Sequence, residues 1–223
     1  MGEFPLIQKK KNGGHITGHI MVENIWEGLK QSWKPIVRLE NTIKMQNKLR
    51  NTKTYLVGAM EYKNGRRWRE DFTKKMSEIG VICFDPYKKP FVIDVDETED
   101  VHERLVDLRT EGNYDEVSRI MKKIRAFDLG LTDRADFIVA YIDPSVFTTG
   151  SLEEIFWSNR MKKVIFLVIE GGKKKCPLWL FGAIPHKYIY NNLDEVVEVL
   201  KRIDSGEKEM DSDRWRLLKP AFR

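Results

Sequence analysis

Residues 136–170, DFIVAYIDPSVFTTGSLEEIFWSNRMKKVIFLVIE, decide the fold. The two ends, DFIVAYIDP (136–144) and KVIFLVIE (163–170), are apolar nearly throughout and rich in Val, Ile and Phe. Strands with both faces buried read this way. Between them, a loop containing Pro144 and Gly150 leads into residues 151–162, which read as a helix opened by the S-x-x-E spacing of Ser151 and Glu154. Strand, helix and strand in this order make a parallel pair, because parallel neighbours need a crossover between them.

The flanking segments extend the same alternation. TYLVGAM (54–60) reads as a buried strand, and GRRWREDFTKKMSEIG (65–80) as a helix with Trp68, Phe72 and Met76 on one face and Gly80 at its end. VICFDPY (81–87) is a second strand closed by Asp-Pro. Residues 88–112 are acidic and irregular, with a short helix around His102 to Leu108. A helical stripe of Val117, Ile120, Met121, Ile124, Phe127, Leu129 and Leu131 runs through 113–135, KYIY (187–190) is a short strand, and NLDEVVEVLKRI (192–203) closes the pattern as an amphipathic helix. Five strands alternating with helices predict a doubly wound, Rossmann-like or flavodoxin-like parallel sheet covered on both faces, over residues 53–204. Residues 1–52 are then an N-terminal extension and 205–223 a tail.

The net charge of +5 is unevenly distributed. Residues 1–53 hold ten Lys and Arg against four Glu, a surplus of six, and the rest of the chain holds 29 against 30. Basic character therefore belongs to the extension, which includes Lys9-Lys10-Lys11 and is the segment suited to nucleic acid or an acidic partner. A composition of 41% hydrophobic and 33% charged residues is that of a globular chain, and no apolar run reaches the length needed to span a bilayer. The N-terminus has a short apolar start followed by lysines, the reverse of a secretory signal, so the expectation is a cytoplasmic protein without a membrane partner. Cys83 and Cys176 lack metal-ligand spacing and read as reduced structural residues.

Neither a G-x-G-x-x-G after the first strand nor a Walker motif occurs, which removes the usual support for a dinucleotide or P-loop reaction. His15 and His19 have an i, i+4 spacing, but the glycines around them argue for a loop, and neither a metal nor any other cofactor is expected. What remains is a set of carboxylates at the ligand side of the sheet. Asp143 ends its strand there, and Glu154 lies in the next helix, near its positive end. An ionised carboxylate in a cleft can attack an electron-poor sugar carbon, and a carboxylic acid can protonate the departing group. Asp128, eight residues before Asp136, suits the second role. Spacing alone leaves Glu154 open between catalyst and capping-box residue and leans to the cap; Asp133 and Asp136 read as surface or strand-opening residues.

The order TYLVGAM, FDP, Asp128 to Tyr141, and GSLEEIFWS (150–158) followed by Lys163-Val164 resembles the nucleoside 2-deoxyribosyltransferase family over residues 53–203. The resemblance implies that Glu154 attacks C1′ of the sugar, Asp128 assists proton transfer at the base and Tyr55 holds the glutamate. It also implies a homodimer or larger homo-oligomer. The expected substrate contacts are Gly58, Thr148, Gly150, Ser151, Arg66, Arg67 and Asp143. Thr148 stands where members acting on free nucleosides carry an aspartate, and a hydroxyl there suits a 5′-monophosphate. The monophosphate branch, however, carries a serine and an arginine where this chain has Ala59 and Glu61, so Arg66 or Arg67 must supply compensating charge. Phe156 replaces the family's usual glycine, with Trp157 at its aromatic position. Met60, Tyr62 and Trp68 are candidate base-stacking residues, although Trp68 also suits the core.

The expectation is an N-glycosidase or deoxyribosyltransferase acting on a (deoxy)nucleoside or, by preference, its 5′-monophosphate. Its alternatives are a non-catalytic nucleotide-binding or partner-binding module using the basic extension, and an enzyme cleaving the nicotinamide–ribose bond of a dinucleotide.

Overall fold

The computed structural model describes residues 47–60, 65–88 and 99–209. Lys9 to Lys11, His15, His19, Glu61, Tyr62, most of the N-terminal extension and residues 210–223 lie outside them.

Five parallel strands form one sheet in the order β2-β1-β3-β4-β5: β1 Lys53–Gly58, β2 Ile82–Phe84, β3 Phe137–Ile142, β4 Val164–Ile169 and β5 Ile189–Tyr190. This is the flavodoxin-like doubly wound order, whose direction reverses between β1 and β3. The central pair is in continuous register from Phe137 opposite Val164 to Ile142 opposite Ile169. All six residues of β4 are buried, as the unbroken VIFLVI run requires.

Helix α1 (Gly65–Ser77) places Trp68, Phe72 and Met76 in the core. Helix α2 (Glu99–Thr110) exceeds the short helix expected from the sequence and carries Leu105 and Leu108 on its apolar side. They pack on Ile120 and Ile124 of α3 (Tyr114–Arg134) in a small cluster separate from the main core. Helix α4 (Thr149–Arg160) follows β3, α5 (Leu178–Ala183) follows β4, and α6 (Leu193–Asp204) closes the domain, capped by the Asn192 side chain accepting from the Glu195 N–H. Among the described residues, α1 packs with α6 and α3 with α4. No described helix is long and apolar enough to cross a membrane.

Ahead of β1, Leu49 is buried, and its N–H donates to the Asp204 carboxylate of α6. Asp136 accepts from the Lys53 N–H at 2.7 Å while its own N–H donates to the Lys53 carbonyl. The expected strand-opening role of Asp136 is thus a clasp joining the starts of β1 and β3. Cys176 is buried and Cys83 half-buried; both are free thiols, and burial pushes Cys83 up to about 12.

Candidate active site

Helix α4 begins three residues earlier than the S-x-x-E spacing suggests. Thr148 is its N-cap in extended backbone, so Ser151 already stands in the first turn and Glu154 in the second. The capping-box reading of Ser151 and Glu154 is therefore wrong, since Glu154 is too far into the helix to hold a terminal N–H. Its carboxylate goes elsewhere. The Tyr55 hydroxyl, from the middle of β1, donates to Glu154 Oε1 at 2.8 Å across 99 residues of sequence. Glu154 is only 9% exposed and Tyr55 1%. The pair spans β1 and the helix after β3, at the reversal point where open α/β sheets form their crevice.

Asp128 lies on α3, which packs against α4. Arg125 pairs with Glu153, and Asp133 accepts from the Trp157 indole N–H at 2.8 Å; these two contacts bracket Asp128 on α3 and Glu154 on α4. Asp128 Oδ1 is buried, and its backbone carbonyl accepts from the Thr132 hydroxyl.

The remaining expected residues divide. A Cβ on Gly58 would stand 2.7 Å from the Tyr141 carbonyl oxygen and 3.2 Å from the Trp68 ring, so β1 can end there only on glycine. Ser151 is buried, Thr148 half-buried, and Gly150 exposed with open space where a side chain would project. Thr148 makes no capping bond with its side chain, and the first turn of α4 carries no acidic residue. Arg66 and Arg67 are exposed, with Arg66 stacked over the Tyr87 ring at 5.1 Å. Asp143 turns the chain locally: its Oδ1 accepts from the N–H and hydroxyl of Ser145, which lowers its pKa. Trp68 is buried against Tyr141, as its core reading requires. Trp157 faces α3. Phe156 lines a groove with Asn159, Leu178, Trp179, Gly182 and Ala183.

Three residues escaped the sequence reading. Arg69 is completely buried: its Nε donates to the Leu56 carbonyl at 3.2 Å, Nη2 to Gly58 at 2.8 Å, and Nη1 to Gly65 at 2.7 Å and Ala59 at 3.4 Å. Asp85, 5% exposed at the end of β2, accepts from the Tyr87 N–H, and the Tyr87 hydroxyl donates to the Met60 carbonyl. The visible signal was Arg69 itself. Gly65, Arg69, Phe72 and Met76 follow the i, i+4, i+7, i+11 spacing of one helix face, which puts a charge where an apolar residue belongs.

No family model and no curated protein sequence matches the chain. Among solved structures, a 2-deoxyribosyltransferase from Bacillus psychrosaccharolyticus is 13% identical with a TM-score of 0.48, covering 67% of this chain and 96% of that one. The CMP N-glycosidase BcmB from Clostridium botulinum is 19% identical with a TM-score of 0.40, covering 68% of this chain and 99% of that one.

Proposed function

We propose that the protein cleaves or transfers the N-glycosidic bond of a (deoxy)nucleoside, preferably as its 5′-monophosphate, with Glu154 as nucleophile. The observation that carries this reading is the buried hydrogen bond from Tyr55 to Glu154 Oε1 at the sheet's reversal point. A buried carboxylate that accepts from a phenol is fixed in orientation, as a nucleophile at a sugar carbon must be.

In the proposed reaction, Glu154 forms a bond to C1′ as the bond to the base nitrogen breaks. Asp128, as a carboxylic acid, supplies the proton that the departing base takes up with the released electron pair. Water resolves the glycosyl ester in a hydrolase, and a second base does so in a transferase. The preference for a monophosphate is supported by the start of α4, where the Thr148 hydroxyl is free of a capping bond, no carboxylate occupies the first turn, and Gly150 leaves open space. Backbone N–H groups at such a helix start suit a phosphate. A homo-oligomer is supported by Leu178 and Trp179, which are 88% and 80% exposed beside the groove lined by Phe156.

The test is incubation with deoxynucleosides, ribonucleosides and their 5′-monophosphates, with and without a free acceptor base, followed by chromatography of the released bases. Release in water identifies a hydrolase, and exchange that requires an acceptor identifies a transferase. Absence of turnover across the panel with a folded protein would leave the non-catalytic binding module.

A further inference from the structure

Arg69 joins two parts of the molecule that the reaction needs kept in register. Its donors hold the Leu56 and Gly58 carbonyls of β1 and the Gly65 carbonyl of α1, so both ends of the intervening loop are tied to one planar group. Trp68 and Tyr87 cover the guanidinium, with centroids at 4.6 and 5.4 Å. A loop could be fastened by neutral donors, and burying a cation is costly unless other charges offset it. The carboxylates that favour the charged form of Arg69 are Asp85, after β2, and more weakly Glu154 on α4. One fixed cation therefore lies within electrostatic reach of two buried carboxylates, Asp85 and Glu154.

We propose that Arg69 is a positioning residue of the active site: it ties the end of β1 to the start of α1 and keeps a permanent positive charge near the Tyr55–Glu154 pair. The proposal rests on Glu154 being the attacking group. Burial opposes the charge on Arg69, while the acidic groups around it sustain that charge. By reciprocity, the guanidinium favours the ionised form of Glu154. Tyr55 donates to Glu154 from β1, and Asp128 lies on α3, the helix packed against α4.

The test compares Arg69→Met and Arg69→Lys with the parent. Carbon-13 NMR of the ligand-free protein follows the Glu154 carboxyl, whose resonance is identified by its loss in Glu154→Gln. In Arg69→Met the titration should move to higher pH, because loss of the cation favours the neutral acid, and Arg69→Lys should move it back toward the parent. In base release, Arg69→Met should lose about ten- to a hundredfold in kcat/KM, with the acid limb shifted to higher pH. Arg69→Lys should restore the limb while kcat stays low, because an ammonium cannot fork across the Leu56, Gly58 and Gly65 carbonyls. A folded Arg69→Met with the parent's titration and acid limb overturns the proposal. If Arg69→Met does not fold, a lysine variant with full kcat and only a lowered Tm overturns it equally. A parent that releases no base refutes the proposed reaction, while the NMR titration still decides the charge coupling. Base release that depends on Glu154 but is indifferent to Arg69 refutes the positioning role alone.

Discussion

The two edges of the sheet are built on opposite terms. At the amino-terminal edge, polar side chains close off backbone groups: Asp136 clasps Lys53, Lys163 donates to the carbonyls of Thr132, Asp133 and Ala135, and Asp204 accepts from Leu49. At the carboxyl edge, charge is kept inside the protein. Glu154 accepts from the Tyr55 phenol, Arg69 and Asp85 are buried, and Thr148 leaves the start of α4 without a side-chain cap. The first arrangement satisfies the termini of strands and helices and serves stability. The second sets a buried cation among buried carboxylates and leaves a helix start available to an anion, features that favour chemistry over stability.

The comparison breaks most sharply at Glu154. Glu154→Gln should keep its fold, by circular dichroism and Tm, while base release falls by about a thousandfold or more, because an amide cannot form the glycosyl ester. Retained turnover would make the carboxyl edge merely another structural edge. Tyr55→Phe should act less severely, lowering kcat by about ten- to a hundredfold as Glu154 loses its orientation. The lost hydrogen bond to a charged group should also cost roughly 1.5–3 kcal/mol of stability. Unchanged kcat with lowered Tm would assign Tyr55 to packing.

The opposite edge should respond in the opposite way. Asp136→Ala leaves the Lys53 N–H without its 2.7 Å acceptor and should lower stability by about 1 kcal/mol with kcat and KM unchanged. Denaturant titration beside base-release kinetics checks both halves, and a kcat loss would show that the edges are coupled. Cys83, held up at about 12 by burial, should resist alkylation at pH 8 in the native protein and react on unfolding. Its folded pKa lies above the ordinary 9.0, so the unfolded chain releases the proton first and stability should fall as pH rises from about 9 toward 12.

The same contrast explains what could be read from the sequence. The apolar strands and the Trp68, Phe72, Met76 face were legible because burial in a parallel sheet demands unbroken Val and Ile, and a helix demands its period. The start of α4 was not. Thr148, Thr149 and Ser151 are all capping residue types within four positions, and the S-x-x-E spacing selected the wrong one. Glu154 could be singled out as a carboxylate, but its phenol partner lies 99 residues away, and the resemblance to a family joined the two before any local pattern did. Arg69 was overlooked because an arginine beside a tryptophan reads as surface until its position on the core face is counted.

Lys162 supplies the smallest test, at the amino-terminal edge. It sits between α4 and β4 with φ at 58°, one of two described non-glycine residues in the left-handed region. Its N–H donates to the Asn159 carbonyl, while Lys163 beyond it donates to Ser158, so the chain leaves the helix through a left-handed residue as helix ends commonly do. A side chain in that conformation costs roughly 1 kcal/mol, part of which glycine returns as extra freedom in the unfolded chain. Lys162→Gly should therefore raise stability by about 0.5 kcal/mol without altering base release. A drop in stability would mean that the lysine side chain contributes more than its backbone conformation costs.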